Sequence, residues 1–110
     1  MKKIVLFTAN TKGGIIQFTL HIYKVLKNMN FNVNVYIPDE VTNSDVSFLG
    51  DDLCLYKKEK KIIDNKSYKN IAHDICGKNT DLLWHMDNSI VSVKVGLNVD
   101  KKIKVVKLIK

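Results

Sequence analysis

A chain of 110 residues, 45% of them hydrophobic, can bury one core, so we expect a single domain over residues 1–110. The 18 basic residues against 11 acids give a net charge of +7, which favours anionic partners, although the lysines alternate with acids and asparagines as on a solvated surface. The densest basic cluster, Lys57–Lys61, lacks interleaved aromatic side chains on which single-stranded nucleic acid stacks, so we expect no nucleic-acid partner.

No segment of the sequence has the apolar length of a signal peptide or a membrane span. Between the first three residues and the polar Asn10 there are only five apolar residues, and no apolar run approaches ~20 residues. Cys54 and Cys76 have apolar neighbours and no metal-ligand spacing, which indicates core packing in a reducing compartment. His21 and His73 face no second ligand at a metal-binding spacing. We therefore expect a cytoplasmic chain with no metal site and no cofactor.

The first third of the sequence predicts a strand, a helix and a second strand. Lys3–Thr8 is a continuous run of β formers, which is typical of a strand covered on both faces. Apolar residues then recur at spacings of three and four along one helical face, before a polar stop at Asn28–Asn30. These apolar residues are Ile15, Phe18, Ile22, Val25, Leu26 and Met29. Alternating apolar residues predict a second strand that ends at Pro38.

The rest of the chain predicts three more strands and one further helix with clear signals. Leu53–Tyr56 is a short strand that we place at an edge, and Ser67 is a plausible N-cap for a helix that ends at Gly77. Asp81–Met86 predicts the fourth strand, and Ile103–Ile109 predicts the last one.

Residues 90–97 fit both a helical spacing and the alternation of a strand. We predict a helix, capped by residues 87–89, because a parallel sheet needs a crossover before its last strand. The element order β-α-β-β-α-β-α-β then predicts an α/β fold, a Rossmann-like open parallel sheet of about five strands with flanking helices. Right-handed crossovers place the first and fourth strands side by side at the centre, and their carboxyl ends form a binding crevice that receives residues 10–14 and 85–88.

The Gly13-Gly14 pair lies where the first strand turns into the first helix. The pair permits either a tight turn or the close approach of a ligand to the free N–H groups of the helix, and we expect at least one of the two glycines to have a positive φ. The dinucleotide fingerprint requires a third glycine, which is lacking here. A phosphate-binding loop requires a lysine after the glycines, whereas Lys12 precedes them. NAD binding and nucleoside triphosphate hydrolysis are therefore disfavoured.

Taken together, these segments resemble the amino-terminal domain of a GT-B-type glycosyltransferase, of the retaining family that includes glycogen synthases and bacterial polysaccharide transferases. The similarity covers nearly the whole chain. It is carried by Lys3–Phe7 leading into Lys12–Ile15, by the helix with Phe18, Ile22 and Leu26, by Asn32–Pro38 and by Asp81–Asp87.

The resemblance implies an enzyme that transfers a sugar from a nucleotide sugar to a glycan or lipid acceptor. This chain corresponds to its acceptor-side half, and the family's donor-binding half, with its paired carboxylates, is absent from the sequence. The implied partners are that second domain or a second copy of the chain, and peripheral contact with a membrane stays open. We expect the isolated chain to be inactive. The alternative is a stand-alone α/β binding or assembly module without enzymatic activity.

The predicted ligand-binding residues lie at the two strand ends that form the crevice, and no catalytic residue is predicted. They are Lys12, Gly13, Gly14, Gln17, His85, Asp87 and Asn88. Six of the seven also have a structural interpretation: the glycines as a turn, the lysine as a surface residue, the histidine as a buried or solvent-facing ring, and Asp87 and Asn88 as helix caps.

Overall fold

The computed structural model describes residues 2–9, 14–40, 46–56, 65–87 and 89–107. The described strands are β1 (Lys3–Phe7), β2 (Asn32–Pro38), β3 (Leu53–Tyr56), β4 (Leu82–His85) and β5 (Lys104–Lys107). The described helices are α1 (Gly14–Asn28), α2 (Asn65–Gly77) and α3 (Ile90–Asn98), and a short 3-10 helix (Ser47–Asp52) precedes β3.

The five strands form one parallel sheet in the order β3-β2-β1-β4-β5. The predicted Rossmann-like open sheet is therefore confirmed, with β1 and β4 adjacent and β3 at an edge. The register aligns Val5 of β1 with Asn34 on one side and Leu83 on the other. Because β1 has a neighbour on each side and helices on both faces, its residues Val5, Leu6 and Phe7 have no exposed surface.

One face of the sheet is covered by α2 and α3. Val5 and Phe7 point to this face, where Ala72 and Ile75 of α2 and Val95 of α3 are fully buried against them. The two helices also pack against each other. This face of the sheet, which we call the closed face, holds the half-buried Cys54 and Cys76, both as free thiols.

The other face of the sheet is covered by α1 and the 3-10 helix. Its core includes Ile4 and Leu6 of β1, and Ile16, Leu20 and Tyr23 of α1. The 3-10 helix, which sequence reasoning missed, is anchored there by one buried residue: Leu49 is 3% exposed. We call this the α1 face.

The buried side of α1 is not the apolar face that the sequence pattern outlined. Ile16, Thr19, Leu20 and Tyr23 face the sheet, whereas Phe18, Val25 and Met29 are 40%, 41% and 60% exposed. Thr19 is accepted in the core because its hydroxyl donates a hydrogen bond to the Ile15 carbonyl at 2.7 Å. The helix thus carries two apolar sides, of which the sheet covers one.

The helix ends depend on asparagines in the left-handed region. After α1, Asn30 has a φ of 67°, and the amide of Phe31 donates to the carbonyl of Leu26 at 3.1 Å. After α2, Asn79 takes the same role with a φ of 58°, although the helix ends at Gly77 as predicted. The predicted N-cap of α2 is wrong, because the helix begins at Asn65 and Ser67 lies within its first turn.

None of the helices in the described ranges is both long enough and apolar enough to cross a membrane.

Candidate binding crevice at the strand ends

The carboxyl ends of β1 and β4 meet at the middle of the sheet, which is the topological switch point where ligands enter open α/β folds. Beyond β4, the amide of Met86 donates to the Phe7 carbonyl at 2.8 Å, and beyond β1 the amide of Thr8 donates to the Tyr36 carbonyl at 3.1 Å. Thr8 and Ala9 are both buried, at 0% and 1% exposure. The two chain segments therefore leave the sheet in a fixed arrangement.

Asp87 connects these segments through four hydrogen bonds. Its Oδ2 accepts from the Ala9 amide at 3.0 Å and from the Thr8 hydroxyl at 3.3 Å. Its Oδ1 accepts from the hydroxyls of Ser92 and Ser89, the latter at 3.4 Å. The residue is 8% exposed. A buried carboxylate needs such donors, and these join the end of β1 to the start of α3.

The start of α3 confirms the predicted capping by this region. Ser89 is the N-cap, and its hydroxyl accepts from the Ser92 amide at 3.1 Å. Asp87 adds a negative charge at the positive end of the helix dipole and holds the hydroxyls of both serines. The predicted crossover helix therefore begins at a cap that is itself tied to the crevice.

Tyr56 is a crevice residue that sequence reasoning did not select. It ends β3, its hydroxyl donates to the Thr8 carbonyl at 2.7 Å, and its ring stacks on Phe7 with 5.1 Å between centroids. Burial raises the pKa of the Tyr56 hydroxyl, and the negative charge of Asp87 raises it further, so the group is a neutral donor at neutral pH. The available signal was its place at the carboxyl end of a parallel strand, at the same sheet edge as Thr8.

His85 lies under α3, inside the closed face. It has no exposed surface, its ring meets Phe7 edge-on at 5.8 Å, and a methyl group at Gly96 would lie 2.6 Å from its Nε2. Neither ring nitrogen has a hydrogen-bond partner within the described ranges. Burial lowers the pKa of His85 to about 4, the charge of Asp87 opposes that shift, and Lys107 adds to it. The imidazole is therefore neutral at neutral pH, and no ligand reaches it in this arrangement.

Two more of the predicted site residues, Gly14 and Gln17, lie on α1. Gly14 is the first residue of α1, and its φ is outside the left-handed region, so the expectation that one of the two glycines has a positive φ now rests on Gly13 and stays a prediction. Gln17 lies on the exposed side of α1, where it lines an open cavity of about 540 Å³ together with Lys24 and Phe48. Lys12, Gly13 and Asn88 lie outside the described residues, and their predicted roles stay predictions.

Metal binding has no support in the geometry. The described residues contain no group of three His, Cys, Asp or Glu side chains arranged to hold an ion.

The fold defines the class of the chain as a Rossmann-like α/β domain whose topological switch point lies between β1 and β4. No protein-family model, no curated protein and no solved structure matches it. The function must therefore be argued from the residues of the crevice themselves.

Proposed function

We propose that this chain is a binding domain whose ligand enters the crevice between the ends of β1 and β4, and that it performs no chemistry alone. The observation that carries the proposal is the set of four donors around Asp87. A general acid or base must reach the reacting atom of its substrate. Both carboxylate oxygens of Asp87 accept hydrogen bonds from Thr8, Ala9, Ser89 and Ser92. We therefore assign it the role of fixing the shape of the crevice, and not of acting on a substrate.

The start of α1 supports an anionic group in the ligand. The helix has no acidic residue in its first turn, and its start carries the positive end of the helix dipole. The net charge of +7 would attract such a ligand over a longer range. A phosphate-bearing sugar or nucleotide combines this charge with hydroxyls that suit polar strand ends.

Within this class, we propose the acceptor-side domain of a GT-B-type glycosyltransferase, which works in the cytoplasm with a nucleotide sugar and a glycan or lipid acceptor. The support is the sequence resemblance together with the β1–α1–β2 and β4 arrangement that it implied. A domain of this kind positions one substrate, while a second domain stabilises the departing nucleotide diphosphate.

The binding test follows backbone amide chemical shifts while UDP-glucose, UDP, inorganic phosphate or maltoheptaose is added. We expect saturable shifts at Ala9, Gln17 and Asp87 with the phosphate-bearing ligands. Gly14→Asp should weaken this binding about tenfold, because it places an acid at the helix start, where a side chain meets nothing within 4 Å. Gly77→Asp is the matched control, since its surroundings are equally open and it lies at the end of α2.

The same samples test for turnover. We expect no steady release of nucleotide from UDP-glucose, ADP-glucose or GDP-mannose by the purified chain. Steady release that survives repurification would overturn the non-catalytic assignment. Saturable binding by maltoheptaose alone, without any response to phosphate-bearing ligands, would leave the alternative of a stand-alone binding module as the better description.

A further inference from the structure

The outer edge of β5 has no strand beside it within the described residues. β5 is the last strand of the sheet, and β4 lies on its other side. In their ladder the amide of Lys104 donates to the Asp81 carbonyl at 3.1 Å. In a parallel ladder, alternate residues direct their backbone groups to the same neighbour. The backbone groups of Lys104 and Val106 therefore face β4, whereas those of Val105 and Lys107 face outwards.

The side chains of β5 place one valine and one lysine on each face of the sheet. Lys104 and Val106 lie on the α1 face, because the residues of β4 in register with them belong to that core. Val105 lies on the closed face beside Leu83, and Lys107 follows it there by the alternation of a strand. Both lysines are exposed, Val106 is half-buried, and Val105 is 37% exposed. The edge therefore presents an apolar centre between two cations.

The charge along this edge is strongly positive. Four of the eight residues from Asp100 to Lys107 are lysines, and one is an acid. That acid, Asp100, accepts from the Lys102 amide at 3.0 Å in the turn before the strand. The nearest acid at the start of β4, Asp81, accepts from the Lys3 amide at 2.9 Å. No lysine of this stretch has an ion-pair partner in the part of the chain that the structure describes. The edge therefore favours a partner that brings carboxylates.

We propose that the outer edge of β5 is the docking site of an extended segment of a partner protein, which adds to the sheet as a further strand. The outward backbone groups form the hydrogen bonds of the new ladder, and the side chains select the segment. Its sequence has an acid, two apolar residues and an acid, so that carboxylates lie beside Lys104 and Lys107 and apolar side chains lie beside the valines. This pattern is the same in both directions, so the edge accepts a parallel or an antiparallel strand. The inference is independent of the ligand proposed for the crevice, which lies at the ends of the strands.

The same lysines disfavour a second copy of this chain. Pairing of β5 with the β5 of another copy would set lysines beside lysines in either direction, and each copy has a net charge of +7. Lysines on an edge strand commonly prevent such self-pairing. Specific interfaces combine repulsion of wrong partners with attraction of the right one, and this charge pattern does both. The other edge strand, β3, has Leu55 at 55% exposure and no lysine, so it lacks this selectivity.

The experiment uses a short blocked peptide in which two valines are flanked by glutamates and, outside these, by threonines. A twin peptide carries lysines in place of the glutamates and should bind about tenfold more weakly. Amide hydrogen exchange followed by NMR reports each amide of β5 separately. At saturation the acidic peptide should slow exchange about tenfold at the outward amides of Val105 and Lys107, and change little at Lys104 and Val106, which already bond to β4. The amide of Leu55 on the other edge should not respond.

Two variants at Val105 separate strand addition from simple charge attraction. Val105→Pro removes an outward N–H and no hydrogen bond to β4, so β5 should stay in the sheet while the acidic peptide binds about tenfold more weakly. Val105→Thr keeps the N–H in a β-branched residue and should bind the peptide as the parent does. Lys104→Glu combined with Lys107→Glu should reverse the preference between the two peptides. Slow exchange at the Val106 amide verifies that β5 is formed in each variant.

Four outcomes would overturn the proposal. Unchanged exchange at the outward amides with the acidic peptide would show that no strand is added. Equal binding of this peptide to the parent and to Val105→Pro would show that the lysines attract acids without a ladder. Concentration-dependent dimers in sedimentation that Val105→Pro abolishes would assign the edge to a second copy. Binding to anionic phosphatidylserine vesicles, without any response to the peptide, would assign the lysines to a membrane surface.

Discussion

The two faces of the sheet differ in how completely they are covered. On the closed face two helices leave Ala72, Ile75 and Val95 without exposed surface, and even a histidine is buried there with both nitrogens unpaired among the described residues. On the α1 face one helix and a short 3-10 segment leave Phe18 and Met29 in solvent. The apolar residues of α2 and α3 that contact the sheet are therefore core residues, whereas α1 carries a second apolar side that lies in solvent. Substitutions should reveal this difference as a difference in stability.

The largest effect should come from Asp87, which ties the crevice to the closed-face helix α3. Asp87→Ala removes the common acceptor of four hydrogen bonds, so we expect a loss of about 4 kcal/mol in the free energy of unfolding. Asp100→Ala, at an exposed turn residue, should lose less than about 1 kcal/mol. Urea unfolding measures both. Equal losses in the free energy of unfolding would show that the hydrogen bonds of Asp87 stabilise the fold no more than the exposed contact of Asp100 does.

The buried histidine should make stability depend on pH. Because the pKa of His85 is about 4 in the folded state against 6.5 in the unfolded chain, the unfolded chain binds the extra proton between these values. Stability should therefore fall as pH drops from 6.5 to 4, by up to about 3 kcal/mol. His85→Leu removes this contribution, so between pH 7 and pH 4 the parent should lose up to about 3 kcal/mol more than the variant. Parallel stability curves from pH 7 to 4 would contradict the buried neutral ring.

Two glycines form a matched pair across the sheet. Gly96→Ala sets a methyl group 2.6 Å from the His85 ring, which we expect to cost about 2 kcal/mol after the gain in helix propensity. Gly14→Ala meets nothing within 4 Å at the start of α1, so it should be neutral or stabilise by up to about 1 kcal/mol. Thermal unfolding of the two variants compares them. A stable Gly96→Ala protein would show that α3 is free to shift.

The smallest effect should come from the exposed apolar side of α1. Met29→Glu changes a residue that is 60% exposed, so the free energy of unfolding should change by less than about 0.5 kcal/mol. A loss above about 2 kcal/mol would show that this side chain belongs to the core after all. That result would contradict the conclusion that the α1 face is less completely covered than the closed face.

The sheet was predictable because its strands are short apolar runs separated by polar turns, and strand order followed from the handedness of the crossovers. The buried side of α1 was not predictable in this way. Its exposed apolar side has a more regular three-and-four spacing than the side that contacts the sheet, where Thr19 and Tyr23 interrupt the apolar pattern. Periodicity identifies an apolar side but not the element that covers it. Which side is buried depends on how the strands pack against the helix, and a periodic pattern within the helix does not show this.

The crevice was predictable in part for the same reason. Asp87 and Ser89 follow a buried strand and precede a helix, so their place at a cap could be read locally. The burial of His85 could not, because it depends on the lack of a side chain at Gly96, on another element. The 3-10 helix escaped prediction because a single buried leucine carries it, which gives no period to detect.

The central place of β1 has a consequence for how the chain is made. This strand is synthesised before the other four described strands, yet its second neighbour comes about 80 residues later, since Ile4 pairs with Leu82. At ~5–20 residues per second, the interval from the end of β2 to the end of β4 lasts roughly 2–10 s. Throughout that time the nascent chain presents its most apolar strand as an open edge, before Asp87 exists to secure it. The chain therefore depends on protection of that edge during synthesis far more than on protection afterwards.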